Sequence, residues 1–494
     1  MKNRYHIFLI VLFSILCLDF NASAQPVLFN HTYGSGQYNQ GRRIIEAGDR
    51  GFFILGNVSA NSGNSNIHII RTDSLGIISY EKNLGDGSIY WANDFIRTAD
   101  HGFLICGLTD KLPEKGYDML LIKTDSNINV EWERQYGGAD WDIANAVIET
   151  KDSAYLMAGL TYSYGAPNEN IYIVKTNYLG DTIWTKTFGG DSSDYATSVD
   201  VCFDSTYLIG ATTNSFGFGN FDGYVLNLDL NGDTIWTKNY GEEKEDIIYS
   251  IKQTPDSGFV FVGSTTSYNS IEHETWLMKF DKDRNYIWRL PEFWDVLSGD
   301  QVAYNVNLTD SAHFLISGYS TFVDGSKDLS MIIMRDNVNF KCSLTSGSSS
   351  DEVGYQSIQT ADKGYAIVGY SEDLGIGMTN IFVVKIGNDC SYSTINEHIT
   401  DVDDTPYSHE KNNFEIIPNI SCGEYLITFK ENTGSEKYAI KVFNVFGEEV
   451  FSENPGMHQN HYKIDLSNVA DGMYILMISS AKNNGSFKII KHSR

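Results

Sequence analysis

Beyond residue 24 the chain has no apolar run approaching the length of a membrane-spanning helix, which excludes a helical anchor in that part of the sequence. Positive charge is scarce: 36 Lys and Arg stand against 63 Asp and Glu, a formal net charge of −27. So acidic a surface repels phosphate backbones and anionic membranes, and no nucleic acid is expected as a partner. Cysteines are few. After residue 24 they are Cys106, Cys202, Cys342, Cys390 and Cys422, an odd number with no CxxC spacing. That argues against a disulfide framework or a zinc ribbon, and Cys106 and Cys202, inside expected strands, read as buried thiols. No Walker loop, HExxH or GxSxG elbow occurs. The histidines are scattered; His458 and His461 share an expected turn without Cys or acidic companions, so no metal site is predicted. DKDRNYIWRLPE places Asp281, Asp283, Asn285 and Glu292 at EF-hand offsets, but Tyr286 stands where that loop requires Gly. It reads as a hairpin turn. No segment sustains the 3.6-residue period, which excludes a helical solenoid.

What the chain does have begins with a tripartite N terminus. Lys2 and Arg4 precede an apolar run from Ile7 to Leu18, and Ala22-Ser23-Ala24 follows. These are the parts of a cleavable signal peptide, residues 1–24, with a mature start at Gln25. A lipoprotein reading through Cys17 fails because Leu16 stands where a small residue is needed.

Residues 25–390 are occupied by a repeat of about 52 residues. An Asp column runs through Asp49, Asp100, Asp152, Asp204, Asp256, Asp310 and Asp362. A Gly column follows at Gly56, Gly107, Gly159, Gly210, Gly263, Gly318 and Gly369. A basic column comprises Arg71, Lys123, Lys175, Lys279, Arg335 and Lys385, with Asn227 the exception. Each repeat reads as four antiparallel strands, a to d: ANAVIET, YLMAGLT, NIYIVKT and TIWTKTF in the third. Such units predict an all-β fold, a seven-bladed β-propeller. The Asp column reads as turn chemistry and the basic column as a surface ladder with snorkelling stems.

The seventh repeat stops after its third strand, NIFVVKI, whereas VLFNHTYG (27–34) resembles a fourth strand placed ahead of the first repeat. The N-terminal segment is therefore expected to complete the last blade and close the ring. The Gly-x-x-x-Trp spacing at Gly180/Trp184 and Gly232/Trp236 resembles the tryptophan-docking pattern of quinoprotein propellers, in which Trp packs one blade on the next. Trp132 and Trp288 share the column, with Ile128 and Arg284 in place of Gly. The vicinal cysteines and site residues of those enzymes have no counterpart here, and no cofactor is expected.

Residues 391–413 form an acidic linker without apolar periodicity. From Phe414 short strands resume through residue 494, predicting a small Ig-like β-sandwich. Ile417-Pro418-Asn419, Val442-Phe443-Asn444 with Gly447, Ile464-Asp465-Leu466-Ser467 with Gly472 and Tyr474, and Lys488-Ile489-Ile490-Lys491 appear in order. This module resembles the C-terminal (type A) sorting domain of type IX secretion cargo of the Bacteroidota. The departure is Ile420, where the family has the second Pro of Pro-Asn-Pro. The resemblance implies passage through the periplasm and across the outer membrane by the type IX translocon and its sorting machinery. Removal of the domain then usually precedes surface attachment or release. Without that resemblance the module would read as an ordinary Ig-like binding or packing domain.

Features common to all blades build the fold; function is expected where blades differ. The b–c loops vary from NSGNSN to NSFGFGNFD, and the d–a connections carry Trp91, Trp141 and Tyr195 beside Asp142, Asp194, Asp246, Asp300 and Glu352. Aromatic faces beside carboxylates suit sugars, so Trp91, Trp141, Asp142, Asp194, Tyr195 and Asp246 form the candidate ligand-binding set. The competing reading has the aromatics capping blades and the acids closing turns. The leading function is a non-enzymatic module for an extracellular glycan or protein. A glycoside hydrolase using two loop carboxylates and a structural adhesin or spacer are the alternatives.

Overall fold

Runs of seven or eight residues punctuated by Asp and Gly turns dictate strands, and in the computed structural model the described residues contain no helix. The structure describes residues 28–388 and 414–491, with interruptions at 35–37, 60–63, 112–115, 268–271, 291–298, 322–324, 337–339, 373, 375–377, 418–419, 422–423, 430–438, 445–448, 454–460, 470–471 and 480–483. The expected signal peptide, residues 1–24, and the expected acidic linker, residues 391–413, lie outside the described residues.

Seven four-stranded antiparallel sheets form the blades of a β-propeller. In blade three, Asp142–Glu149, Tyr155–Thr161, Asn170–Thr176 and Thr182–Phe188 pair in chain order as strands a to d. Strands a of the seven blades are Tyr38–Glu46, Tyr90–Arg97, Asp142–Glu149, Asp194–Val201, Asp246–Gln253, Gln301–Leu308 and Glu352–Gln359. Each neighbours the strand a of the next blade around the whole ring, so they lie innermost. Strands b and c, covered on both faces, are nearly continuous in buried residues. The core is accordingly a set of inter-blade layers, such as Leu104, Met119 and Leu121 against Val147, Met157 and Val174.

The ring closes as the repeat pattern predicts. Phe29–Tyr33 pairs antiparallel with Asn380–Ile386 of the seventh blade, in a register from Phe29 opposite Lys385 to Tyr33 opposite Ile381. Its side chains also hold the neighbouring blade. Tyr33 Oη donates to the Gly76 carbonyl at 2.7 Å, and Tyr136 Oη does the same to Gly180 at 2.6 Å between blades two and three. Tryptophan docking recurs alongside: Trp132 lies against Gly180 and Trp184 against Gly232, glycines at φ +82° and +78°. The substituted turns keep that backbone, with Ile128 at φ 60° and Arg284 at φ 67°. The Arg284 guanidinium covers the Trp236 ring.

Two expectations change. The strand-c basic column is not a surface ladder: Lys123, Lys175, Lys279 and Lys385 are buried, and each ammonium reaches the turn Asp of its own blade at 2.8–2.9 Å. The two columns are halves of one interaction. Blade six has shifted register, with Leu315 opposite Ile333 where other blades carry the Lys, and its a–b turn runs from Thr309 to His313. Asp310 and Arg335 are therefore each off the column, and blade six lacks both partners together. Gly210 is also displaced, because Ala211 faces the strand-a position that glycine faces elsewhere. Cys342 is disulfide-bonded, while Cys106 and Cys202 are buried free thiols, as their expected strand positions suggest.

Residues 414–491 form a second unit of two sheets. Phe414–Ile417, Glu424–Phe429 and His461–Asp465 make a three-stranded sheet. Five strands make the other, in the order Ile420–Ser421, Asn484–Lys491, Gly472–Ser479, Ala439–Asn444 and Glu449–Glu453. Tyr425, Ile427, Ile440, Val442, Ile464, Tyr474 and Leu476 fill the space between them.

Candidate functional site

Strand a of each blade begins at the turn that leaves the preceding blade, and the candidate acids open it. Asp142, Asp194 and Asp246 are fully buried. Asp194 accepts hydrogen bonds from the Gly190 amide at 2.8 Å, from Ser215 Oγ at 2.6 Å and from Thr213 Oγ1. Asp246 takes the Glu242 amide, Ser267 Oγ and Thr265 Oγ1 in the same way. Asp142 binds the Gly138 amide and Ser163 Oγ at 2.8 and 2.7 Å. Burial raises the Asp142 carboxyl above its ordinary range, against these bonds and the Thr161 hydroxyl. Each carboxylate thus ties the d–a turn to the start of the b–c loop beside it. Glu352 repeats the arrangement with Ser348 and Ser371 in blade seven.

The turns so fixed present Trp141. Its ring is 48% exposed, yet it lies across Gly116 (φ +80°), where a Cβ would strike it at 2.5 Å. It packs between Tyr117, at a tilt, and Tyr162, edge-on, with ring centroids at 5.2 and 6.3 Å. Tyr164 continues the surface, its hydroxyl donating to the Gly137 carbonyl at 2.7 Å and its ring 5.4 Å from Tyr172. Tyr164 and Tyr172 line a groove of about 570 Å³, together with Gln135, Tyr136, Thr182, Thr185 and Thr187. On blade four Phe216 and Phe218 are also exposed. Aromatic planes flanked by hydroxyl and amide groups form a ledge over blades two to four, suited to a ligand with both apolar faces and hydroxyls.

Trp91 and Tyr195 occupy a different setting, one residue into strand a of blades two and four. Tyr195 packs against Phe221 at 6.2 Å, and burial raises its hydroxyl pKa. Trp91 lies near the axis beneath the Arg42 guanidinium, 5.4 Å from its centroid. The six candidate positions therefore separate: three turn-fixing acids, one exposed ledge tryptophan, and two aromatics on the inner strands. Sequence reasoning missed Tyr117, Tyr162 and Tyr164; the variable b–c loops that carry them were the available signal.

Every strand a also carries a bulge, after Gly41, Ala92, Ala144, Ala196, Ile248, Ala303 and Gly354. The extra residues are Arg42, Asn93, Asn145, Thr197, Tyr249, Tyr304 and Tyr355, all half-buried. They form a circuit about the axis. Asn93, Asn145 and Thr197 each donate to the strand-a carbonyl of the following blade, from Ala144, Ala196 and Ile248. Tyr249, Tyr304 and Tyr355 meet successively in tilted ring contacts at 5.0 and 5.2 Å. Arg42 completes the ring, 4.5 Å above the Tyr355 centroid.

In the C-terminal unit, Asp465 closes a turn by accepting the Ser467 amide at 2.8 Å. Tyr474 is buried in the core, and Gly472 opens the strand that pairs with Asn484–Lys491, where Lys488 and Lys491 fall. Pro418, Asn419 and Gly447 lie outside the described residues. Residues 415–492 match the family described as the secretion system C-terminal sorting domain. This unit is a type IX sorting domain. The sorting domain directs the chain through the type IX system to the cell surface or the exterior, which implies interaction with that secretion machinery. No curated protein matches the chain. Among solved structures, the chain is similar to puromycin hydrolase, with a TM-score of 0.46, 11% identity, 80% of this chain and 59% of that chain covered. It is also similar to Drosophila Plexin A in complex with Semaphorin 1b, with a TM-score of 0.39, 10% identity, and 73% and 87% covered.

Proposed function

We propose that the propeller is a non-enzymatic binding module, exported by its sorting domain, which holds an extracellular glycan on the aromatic ledge of blades two to four. The observation that carries this is Trp141: a ring held rigidly over Gly116 and between two tyrosines, with half its surface open. Such a platform contributes stacking area with little ordering entropy. The hydrolase reading needs two carboxylates free to face a substrate, whereas Asp142, Asp194 and Asp246 are fully buried and each is bonded to turn and loop groups. In this proposal those acids shape the ledge and Trp141 contacts the sugar.

The test is Trp141→Ala in a glycan array and in thermal unfolding. Binding is expected to weaken about tenfold or more while stability changes by less than about 1 kcal/mol. A loss of about 3–5 kcal/mol with binding retained identifies Trp141 as packing and removes the ledge from the proposal.

A further inference from the structure

Arg42 differs from the buried strand-c lysines of this propeller. Lys123, Lys175, Lys279 and Lys385 each meet an aspartate, and the adjacent Arg43 pairs with Asp94 at 2.7 Å. Among the described residues no carboxylate reaches Arg42. Its side-chain hydrogen bond goes to Gln40 Oε1 at 3.3 Å, and its Nε is enclosed without a partner. Burial works against the charge, and the groups that favour it are the tyrosines Tyr355, Tyr304 and Tyr370. The guanidinium is held between the Trp91 and Tyr355 rings, an arrangement that orients a cation without neutralising it. In a chain of net charge −27, one uncompensated cation at the innermost strands is a local reversal of sign.

The sector around it is aromatic on one side only. Tyr249, Tyr304 and Tyr355 form a run of tilted ring contacts along the ring, backed by Tyr319 and Tyr370 at 6.0 Å. The opposite sector spends its Asn and Thr side chains on backbone carbonyls of the next blade. The asymmetry matters because a sevenfold frame supplies equivalent positions, and only this arc combines a free charge with aromatic faces.

We propose that the innermost strands around the axis form a second binding site, in which Arg42 takes the carboxylate of a uronic acid whose ring lies along the tyrosine arc. Charge-assisted hydrogen bonds to the carboxylate supply the selectivity for an acidic sugar, and the tyrosine planes supply the sugar-face contact. This site is separate from the ledge and does not depend on it.

Isothermal titration of the full secreted chain with glucuronate, glucose, acetate and inorganic phosphate tests it. Glucuronate is expected to bind at least about tenfold more tightly than glucose or acetate. Arg42→Gln is expected to abolish that preference, and Arg42→Lys to retain part of it. Equal affinity for glucose and glucuronate overturns the proposal without recourse to any variant. Acetate or phosphate binding as well as glucuronate shows an anion site without sugar recognition and overturns the assigned ligand. Undiminished glucuronate binding by folded Arg42→Gln, checked by its unfolding transition, shows that Arg42 is not the contact. Trp141→Ala is expected to leave glucuronate binding intact, which separates this site from the ledge.

Discussion

Lys175 is 4% exposed at its side chain, and its ammonium lies 2.8 Å from Asp152, itself 54% exposed. That asymmetry sets what each substitution does. Asp152→Asn keeps the turn acceptor but leaves a buried cation without its counter-charge, so a loss of about 2–4 kcal/mol is expected. Lys175→Met leaves an aspartate that water can solvate and is expected to change stability by about 1 kcal/mol or less. Chemical denaturation of both variants measures the difference, and an equal cost would contradict it. Blade six, which lacks both partners, shows that the frame accepts their joint loss. The pH dependence follows from the same pairing. Burial disfavours the Asp100 charge, but Lys123, Thr98 Oγ1 and the Gly102 amide outweigh it and hold the carboxyl at about 2. A folded-state value below the unfolded value of about 3.9 means this stabilisation is complete above pH 4 and is lost as pH falls from about 4 to 2. Unfolding temperature measured across that interval should fall more steeply for the wild type than for Asp100→Asn.

Strand a bends at its bulge, and in six of the seven blades, blade four with Ala211 being the exception, a glycine opposite that bend admits the close approach of its backbone. A Cβ on Gly159 would run into the Ile143 carbonyl oxygen, and one on Gly263 into that of Ile247. Gly159→Ala is therefore expected to cost about 1–3 kcal/mol or more in denaturant melts, through displacement of strand a rather than through lost contacts. A neutral effect would mean that strand a yields freely. The closing strand carries a larger share. Deleting Phe29–Tyr33 exposes the edge of Asn380–Ile386 and removes Phe29 and Tyr33 from the layer between blades seven and one. A loss of at least several kcal/mol, or failure to fold, is the expected result; an unchanged melting temperature would show that closure does not depend on it.

The propeller has its own inter-blade layers and the sorting domain its own core, so residues 25–390 expressed without the rest are expected to unfold cooperatively at nearly the temperature of the full chain. Residues 414–494, fused to a periplasmic reporter, are expected to suffice for export in a host with the type IX machinery. Truncation from Lys488 removes half of the strand Asn484–Lys491, including its pairing with Gly472–Ile475 and with Ile420. The truncated fusion should remain in the periplasm, as fractionation would show. Export that survives the truncation would mean that recognition lies elsewhere in the domain.

Blade number, ring closure and the sorting domain were legible in the linear chain because each rests on local chemistry repeated at a fixed period: Asp turns, alternating strands, and motifs in order. The candidate acids could be located but not interpreted, since a carboxylate facing solvent and one enclosed by Ser163 and Gly138 read alike in one dimension. The basic column was legible as a column and misread as surface, because its neutralising aspartate lies 23 residues away across a hairpin. Arg42 gave no signal, because nothing local distinguishes an unpaired bulge residue from the strand around it. The amino-acid sequence alone determined the blade, since its hydrogen bonds join neighbours in the chain. The tertiary structure alone decided which side chains meet at the axis and on the ledge, because those meetings depend on blade rotation and bulge register, which bring together residues such as Arg42 and Tyr355 from opposite ends of the propeller's sequence.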